Sequence, residues 1–204
     1  MKDWTAMFAS LRAGILGPKL EQNEVEGVNV LCRAMLDDNW PIAWAAYGLA
    51  TAYHETAGTL KPIKEYGGPK YFNRRYGPEG DNPSRARQFG NTAPGDGARY
   101  AGRGYVQLTW KVNYAKASKA LGVDLVGNPD LAMTDTIAAK IMVRGMREGW
   151  FTGLDCADCL PGQGPGVRSQ FVRARRIING TDKADMIAGY ALAFQAALKA
   201  GGWE

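Results

Sequence analysis

Residues 40–58 read WPIAWAAYGLATAYHETAG, and the first fourteen of them, Trp40 to Tyr53, form the longest uncharged apolar stretch in the chain. A hydrocarbon core takes about 20 such residues, so this stretch predicts a buried helix and not a membrane span. Pro41 suits the first turn of that helix, where a missing N–H costs nothing. Ala43, Trp44, Tyr47 and Ala50 mark its packed side, and Gly58 stands where helices usually stop.

Working outward, Val25, Val28, Leu31, Cys32, Met35 and Leu36 recur at helical spacing and predict a helix over Glu24–Asp37. From Thr59 to Arg103 the character changes. Gly67, Gly68, Gly77, Gly80, Gly90, Gly95, Gly97 and Gly102 alternate with Pro62, Pro69, Pro78, Pro83 and Pro94, without helical periodicity. That stretch predicts a long irregular excursion, followed by a short strand around Tyr105 to Leu108. Loops this long inside a compact domain are usually functional. Helix resumes at Asn113–Leu121, Asn128-Pro129 breaks it, and Thr134 or Asp135 caps a helix to about Glu148. A second loop spans Gly149 to Gly166, and helices follow over about Val167–Ile178 and Lys183–Ala200. The expectation is a mainly α chain forming one domain over residues 1–204. Its helical core covers about 24–58 and 113–200, and its loop region about 59–112.

The composition, 46% hydrophobic and 22% charged, is that of a globular protein and excludes a disordered or fibrous chain. The N-terminal MKDWTAMFASLRAGILGPKLEQ places Asp3 early and Arg12 within its apolar run, and lacks a small-residue cleavage site. It therefore does not read as a cleaved signal peptide. Lys and Arg number 25 against 20 acids, a net charge of +5. Nine basic and four acidic residues between Lys61 and Arg103 already account for that excess, and Arg168, Arg173, Arg175 and Arg176 form a second cluster. Such patches attract polyanions, and on charge alone nucleic acid, anionic wall polymer and acidic lipid headgroups are all candidate partners. Solvated loop charge is the plainer reading of each single residue.

The chemistry narrows by elimination. The three cysteines, Cys32, Cys156 and Cys159, are an odd number and make a disulfide framework unsuited to this chain. The CADC pair has no second CxxC and the chain a single histidine, His54, so zinc lacks its four ligands. A redox CxxC sits where a strand feeds a helix, whereas this one lies in the loop GLDCADCLPGQGPG and reads as structural. His54-Glu55 is followed by Gly58 where a metallopeptidase motif needs a second histidine, and Gly102-Arg103-Gly104 lacks the rest of a phosphate loop. No cysteine lies in a nucleophile motif that would pair with His54. Carboxylate chemistry remains. Glu55 closes the uncharged helix, where partial burial and the negative helix end both favour a protonated carboxyl fit for general-acid work. Glu65 lies ten residues on, beyond Gly58 and Pro62, where it could face Glu55 across a cleft. A solvated glutamate at a helix end is the plain alternative.

The blocks AYHETAGTLKPIKEYGG, YAGRGYVQLTWKVNY and RRIING, in that order from about residue 25 to 200, resemble glycoside hydrolase family 19. That family includes chitinases and a branch of phage and prophage endolysins, and the compact length is similar to the latter. The resemblance implies a lysozyme-like helical domain with a cleft lined by the loop region and a short strand. It implies Glu55 as general acid, Glu65 as the base that activates water, and Thr109 as a residue that helps hold that water. It also implies substrate contacts from His54, Gln107, Asn113 and Asn179, with Tyr100 and Arg103 structural or lining the cleft. Should Glu65 prove dispensable, Glu79, Asp81 or Asp96 is the next base. Family chitinases carry a cleft arginine well past the IING element, where this chain has only Lys183 and Lys199.

In an extended run Gln107 and Thr109 would share one side, with Leu108 and Trp110 on the other. Trp110 and Tyr114 read as core. Tyr66, Tyr71, Phe72 and Tyr76 either stack on sugars or pin the loop. Family members invert stereochemistry, with carboxyl groups roughly 6.5–9.5 Å apart.

The implied enzyme is a monomer that needs no metal or organic cofactor and acts on peptidoglycan glycan strands. Its basic patches would meet anionic wall or outer-membrane polymers, and nucleic acid is not an expected partner. It would wait in the host bacterial cytoplasm until a membrane lesion releases it to the periplasm and wall. A chitinase on N-acetylglucosamine polymer is the nearest alternative, and a non-catalytic basic binding module the distant one.

Overall fold

A computed structural model describes residues 2–204. In chain order it holds α1 (Trp4–Ala13), α2 (Gln22–Asp37), α3 (Ile42–Glu55), β1 (Ile63–Lys64), α4 (Pro69–Tyr76), α5 (Pro83–Gln88), α6 (Asp96–Arg99), β2 (Arg103–Gly104), α7 (Lys111–Leu121), α8 (Asp135–Arg147), α9 (Cys156–Cys159), α10 (Arg168–Ala174) and α11 (Ala184–Ala200). Two short 3₁₀ helices, Pro129–Met133 and Arg175–Ile177, complete the inventory. The chain is mainly α, as expected. Among the described residues no helix is long and apolar enough to cross a membrane. The chain divides into two compact units, one up to Lys61 together with Met142–Glu204, the other Pro62–Ile141.

The first unit is built around α3. Every residue from Ile42 to Ala52 except Trp44 is buried, so the helix has no solvent face to speak of until its last turn. It packs on α11, where Tyr53 meets Tyr190 and Phe194 edge-on at 5.1 and 5.8 Å. Edge-to-face pairs of this kind add to the apolar burial. Gly48 is where α3 runs closest to its neighbours: a Cβ there would stand 2.6 Å from Met35 Cε and 3.0 Å from Trp40. The chain leaves α3 through a tight exit, with Ala57 and Gly58 at φ 51° and 84° and the Gly58 N–H on the Tyr53 carbonyl at 2.8 Å. The buried Thr56 hydroxyl donates to Ala52 O and accepts from Leu60 N, which fixes the direction of the segment that follows.

The second unit contains most of the stretch expected to be irregular, and the structure corrects that expectation. α4, α5 and α6 lie within it. Pro69 and Pro83 open α4 and α5 at their first positions, so prolines read as breakers are helix starts. The strand expected at Tyr105–Leu108 is also displaced. β1 pairs antiparallel with β2, Ile63 opposite Gly104 and Lys64 opposite Arg103. Tyr105–Gln107 turns back instead, closing a bridge from Arg103 to Leu108. Two further elements escaped the sequence. α1 is capped by Asp3, which accepts from Ala6 N. CADC is a helical turn capped by Asp155, not loop, and its two cysteines are buried.

Candidate active site

Glu55 is the last residue of α3, and its side chain is 21% exposed. Its Oε1 accepts a 2.7 Å hydrogen bond from Nη1 of Arg175, a guanidinium only 3% exposed. Arg175 is held in turn by Nε donating to Asp182 O at 3.1 Å. This arginine comes from 120 residues away in the chain. The basic cluster is accordingly divided, with Arg168, Arg173 and Arg176 exposed and Arg175 turned inward. Arg175 is buried on Glu55, and Arg168 is matched by Asp185 at 3.4 Å. Asn179, four residues beyond Arg175, is exposed, and its Oδ1 accepts from Gly180 N. His54 is half-buried and lines a pocket of about 370 Å³ with Tyr53, Ala57, Gly58 and Tyr190. These residues belong to the first unit.

In the second unit Glu65 follows β1, and both of its carboxylate oxygens have a donor. Oε1 accepts from Tyr76 Oη at 2.8 Å and Oε2 from Gly102 N at 3.1 Å, while its own N–H reaches Gly102 O at 2.9 Å. Burial and the neighbouring Glu65 carboxylate push the Tyr76 hydroxyl up to about 12, so it remains a proton donor through the neutral range. Gly102 leaves room for two side chains that any Cβ there would push aside. A Cβ there would lie 2.9 Å from Gln107 Oε1 and 3.1 Å from Glu65 Oε2.

Gln107 and Thr109 do not lie on one extended strand. Gln107 has φ 51° and Trp110 φ 77°, left-handed backbone that breaks the alternation. The turn is tied internally: Gln107 Nε2 donates to Ile63 O and Gly104 O, Thr109 Oγ1 donates to Gln107 O, and Asn113 Nδ2 donates to Thr109 O. Gln107, Thr109 and Asn113 thus form one chain of hydrogen bonds, and each stays partly exposed.

Tyr100 and Arg103, expected to be structural or to line the cleft, are both buried. Arg103 is 4% exposed, with Nε on Asp130 at 2.8 Å and Nη1 on Arg99 O, Ala101 O and Tyr114 Oη. Tyr100 is 2% exposed and donates to Val126 O. Both brace the loop. Asp96 is spent too, accepting from Thr92 N and Ala93 N, and Asp81 pairs with Arg74.

The aromatics divide clearly. Tyr76, Trp110 and Phe89 pack on one another, and Phe72 and Tyr114 are buried. Tyr66, next to Glu65, is 99% exposed. Asn91, fully buried and unremarked in sequence, donates to Tyr76 O and accepts from Lys111 N, which pins the end of α4 that carries Tyr76. Arg175 and Asn91 were both missed because their partners are distant in the chain. Only the buried-polar pattern of Tyr47, Thr51 and Glu55, one turn apart on α3, hinted at a polar seam there. Among the described residues no group of three or more His, Cys, Asp or Glu gathers to hold a metal ion.

This chain is similar to plant chitinases over part of its length. It is 41% identical over 97 residues to endochitinase 1 of Theobroma cacao, 45% of this chain and 29% of that protein. It is 38% identical over 91 residues to basic endochitinase of Vitis vinifera, 44% and 28%. The matched stretch is under a third of those relatives' length. A relative from Hevea brasiliensis, 41% identical over 68 residues (33% of this chain and 22% of that protein), is named inactive chitinase-like protein 1. Chitinase C of Streptomyces griseus superposes with a TM-score of 0.51 and 23% identity, covering 96% of this chain and 69% of that one, and so shares the fold. The chitinase class I family model matches residues 38–151, more than half the chain, and with the oriented Glu55 and Glu65 inside that span the chain belongs to glycoside hydrolase family 19.

Proposed function

We propose that the protein hydrolyses β-1,4 bonds of bacterial peptidoglycan as an endolysin, by inverting displacement with Glu55 as acid and Glu65 as base. The observation that carries this reading is that each of the two glutamates is oriented by a dedicated donor, Arg175 for one and Tyr76 with Gly102 for the other. Glu55 protonates the leaving glycosidic oxygen and ends the step as a carboxylate. Arg175 then faces the charge that forms, the kind of fixed countercharge that lowers a barrier. The arginine that chitinases place after the IING element is replaced here by one placed before it.

Glu65 removes a proton from water as that water attacks the anomeric carbon. Each of its oxygens keeps a lone pair beyond the one given to its donor. The Thr109 hydroxyl, its proton on Gln107 O, is left as an acceptor for the same water. Gln107, Asn113, His54 and Asn179 are the remaining substrate contacts, and Tyr66 is the ring free to stack on a sugar face. The surplus of base over acid between Lys61 and Arg103 supports an anionic wall glycan over neutral chitin. In this reading the protein stays in the host cytoplasm until a membrane lesion releases it.

The chitinase reading is favoured by the names of the relatives. The deciding assay compares purified peptidoglycan with chitin oligomers and reads the new reducing end by mass spectrometry. N-acetylmuramic acid there identifies a muramidase, N-acetylglucosamine a glucosaminidase. Clearing of chitin oligomers with intact peptidoglycan overturns the proposal.

A further inference from the structure

The geometry points to Arg75 as the residue that selects carboxylate-bearing glycan over neutral glycan at the Glu65 end of the site, an inference that rests on the peptidoglycan reading above. Arg75 lies in the last turn of α4, exposed, next to Tyr76. Its Nη1 donates to Tyr71 Oη at 2.9 Å, and its guanidinium carbon stands 5.9 Å from the Tyr71 ring centre and 5.4 Å from that of Tyr76. The Tyr76 hydroxyl is the one that donates to Glu65. A single tyrosine therefore joins the proposed base to an exposed guanidinium.

Arg85 is also exposed over two rings, those of Phe89 and Trp110, but neither carries the hydroxyl on Glu65, and three other cations are paired. Arg74 is paired with Asp81 at 3.7 Å, Lys64 with Asp130 at 3.8 Å, and Arg103 is buried on Asp130. Among the described residues no carboxylate lies within ion-pair distance of Arg75. Two aromatic faces and a hydroxyl restrict the guanidinium without neutralising it. A planar cation restrained in this way loses little freedom when it takes a carboxylate through two parallel N–H bonds. The ligand chemistry is a carboxylate carried on the glycan strand, and chitin has none. In peptidoglycan it has two sources: the lactyl group of a muramic acid without its stem peptide, or the stem peptide itself.

The test measures Arg75→Gln, Arg75→Lys and wild type on intact peptidoglycan, on peptidoglycan stripped of stems by an amidase, and on neutral N-acetylglucosamine oligomers. Arg12→Gln, which removes the same charge from the end of α1, is the control. Arg75→Gln is expected to lower kcat/KM on wall glycan about tenfold, mainly through KM, with Arg75→Lys intermediate and Arg12→Gln unchanged. Added salt should shrink the wild-type advantage. On neutral oligomers the Arg75 variants should match wild type in rate or, where turnover is absent, in binding. A loss confined to stripped glycan assigns the lactyl carboxylate, and one confined to intact glycan the stem. Equal losses on wall and neutral glycan would make Arg75 a mere support for Tyr76, and no loss on either would remove it from recognition; both overturn the inference while peptidoglycan hydrolysis stands. Wild type inert on both wall substrates, by contrast, removes the underlying reading.

Discussion

The surroundings of Glu55 and of Glu65 reach a similar end by opposite means. Glu55 sits on a long regular helix, buried along its length, and is oriented by one strong contact from a side chain far away in sequence. Glu65 sits among short helices and turns and is oriented by near neighbours: a tyrosine eleven residues on and a backbone N–H that a glycine leaves accessible. The first arrangement depends on one buried arginine at the end of an apolar helix. The second depends on backbone shape. A regular element can present a group with little help, whereas an irregular one needs many small ties to do the same.

The sharpest way to break the comparison is to neutralise each carboxyl. Glu55→Gln and Glu65→Gln should each lower glycan hydrolysis about a thousandfold while leaving the circular dichroism spectrum unchanged. If Glu65→Gln keeps its activity, base function passes to Glu79, since Asp81 pairs with Arg74 and Asp96 accepts from Thr92 N and Ala93 N.

Arg175→Leu comes next, and it should strike both stability and rate. It leaves a partly buried carboxyl without its hydrogen-bond donor, at a cost of about 3 kcal/mol. That corresponds to a melting temperature lower by about 10 °C. Arg175→Lys should recover part of both effects, which a purely structural arginine would not produce.

Gly102→Ala probes the other region and should leave the melting temperature within a few degrees. The added methyl displaces Gln107 and Glu65 together, so a loss of at least about tenfold in kcat is expected. Wild-type turnover in this variant would show that the backbone around Glu65 is softer than its hydrogen bonds imply.

The contrast also explains what could be read in advance. α2 follows from apolar spacing because it buries one continuous face, and α3 from an unbroken apolar run because it is buried nearly all round. α4 and α5 leave no such trace: eight and six residues long, they bury little beyond Phe72 and Ala86. Their prolines signal a helix start and a loop equally well. The left-handed Gln107 and Trp110 were invisible because neither is a glycine. Glu55, Glu65, Gln107, Thr109 and Asn113 were nameable from motif blocks. Arg175 was counted as surface charge, since nothing local to it says that it folds inward.

The smallest predicted effect concerns the thiols. Burial pushes Cys32 up to about 12 and raises Cys156 as well. In the unfolded chain these groups ionise near 9, so unfolding above that pH releases protons. Stability is therefore complete below about pH 9 and declines as the pH climbs toward the folded values. Native protein at pH 8 should leave Cys32 and Cys156 unlabelled by a thiol reagent, and denatured protein should expose all three cysteines. Rapid native labelling of Cys32 would mean that the first unit opens far more readily than its packing suggests.

Asn91 gives the site around Glu65 a chemical clock. Its amide offers a donor to one carbonyl and an acceptor to one N–H, and only an amide can do both at that spot. Slow hydrolysis of that amide to an acid would set oxygen against oxygen beneath Tyr76. Old protein would then lose its grip on a carboxylate two contacts away, with no residue that touches sugar having changed.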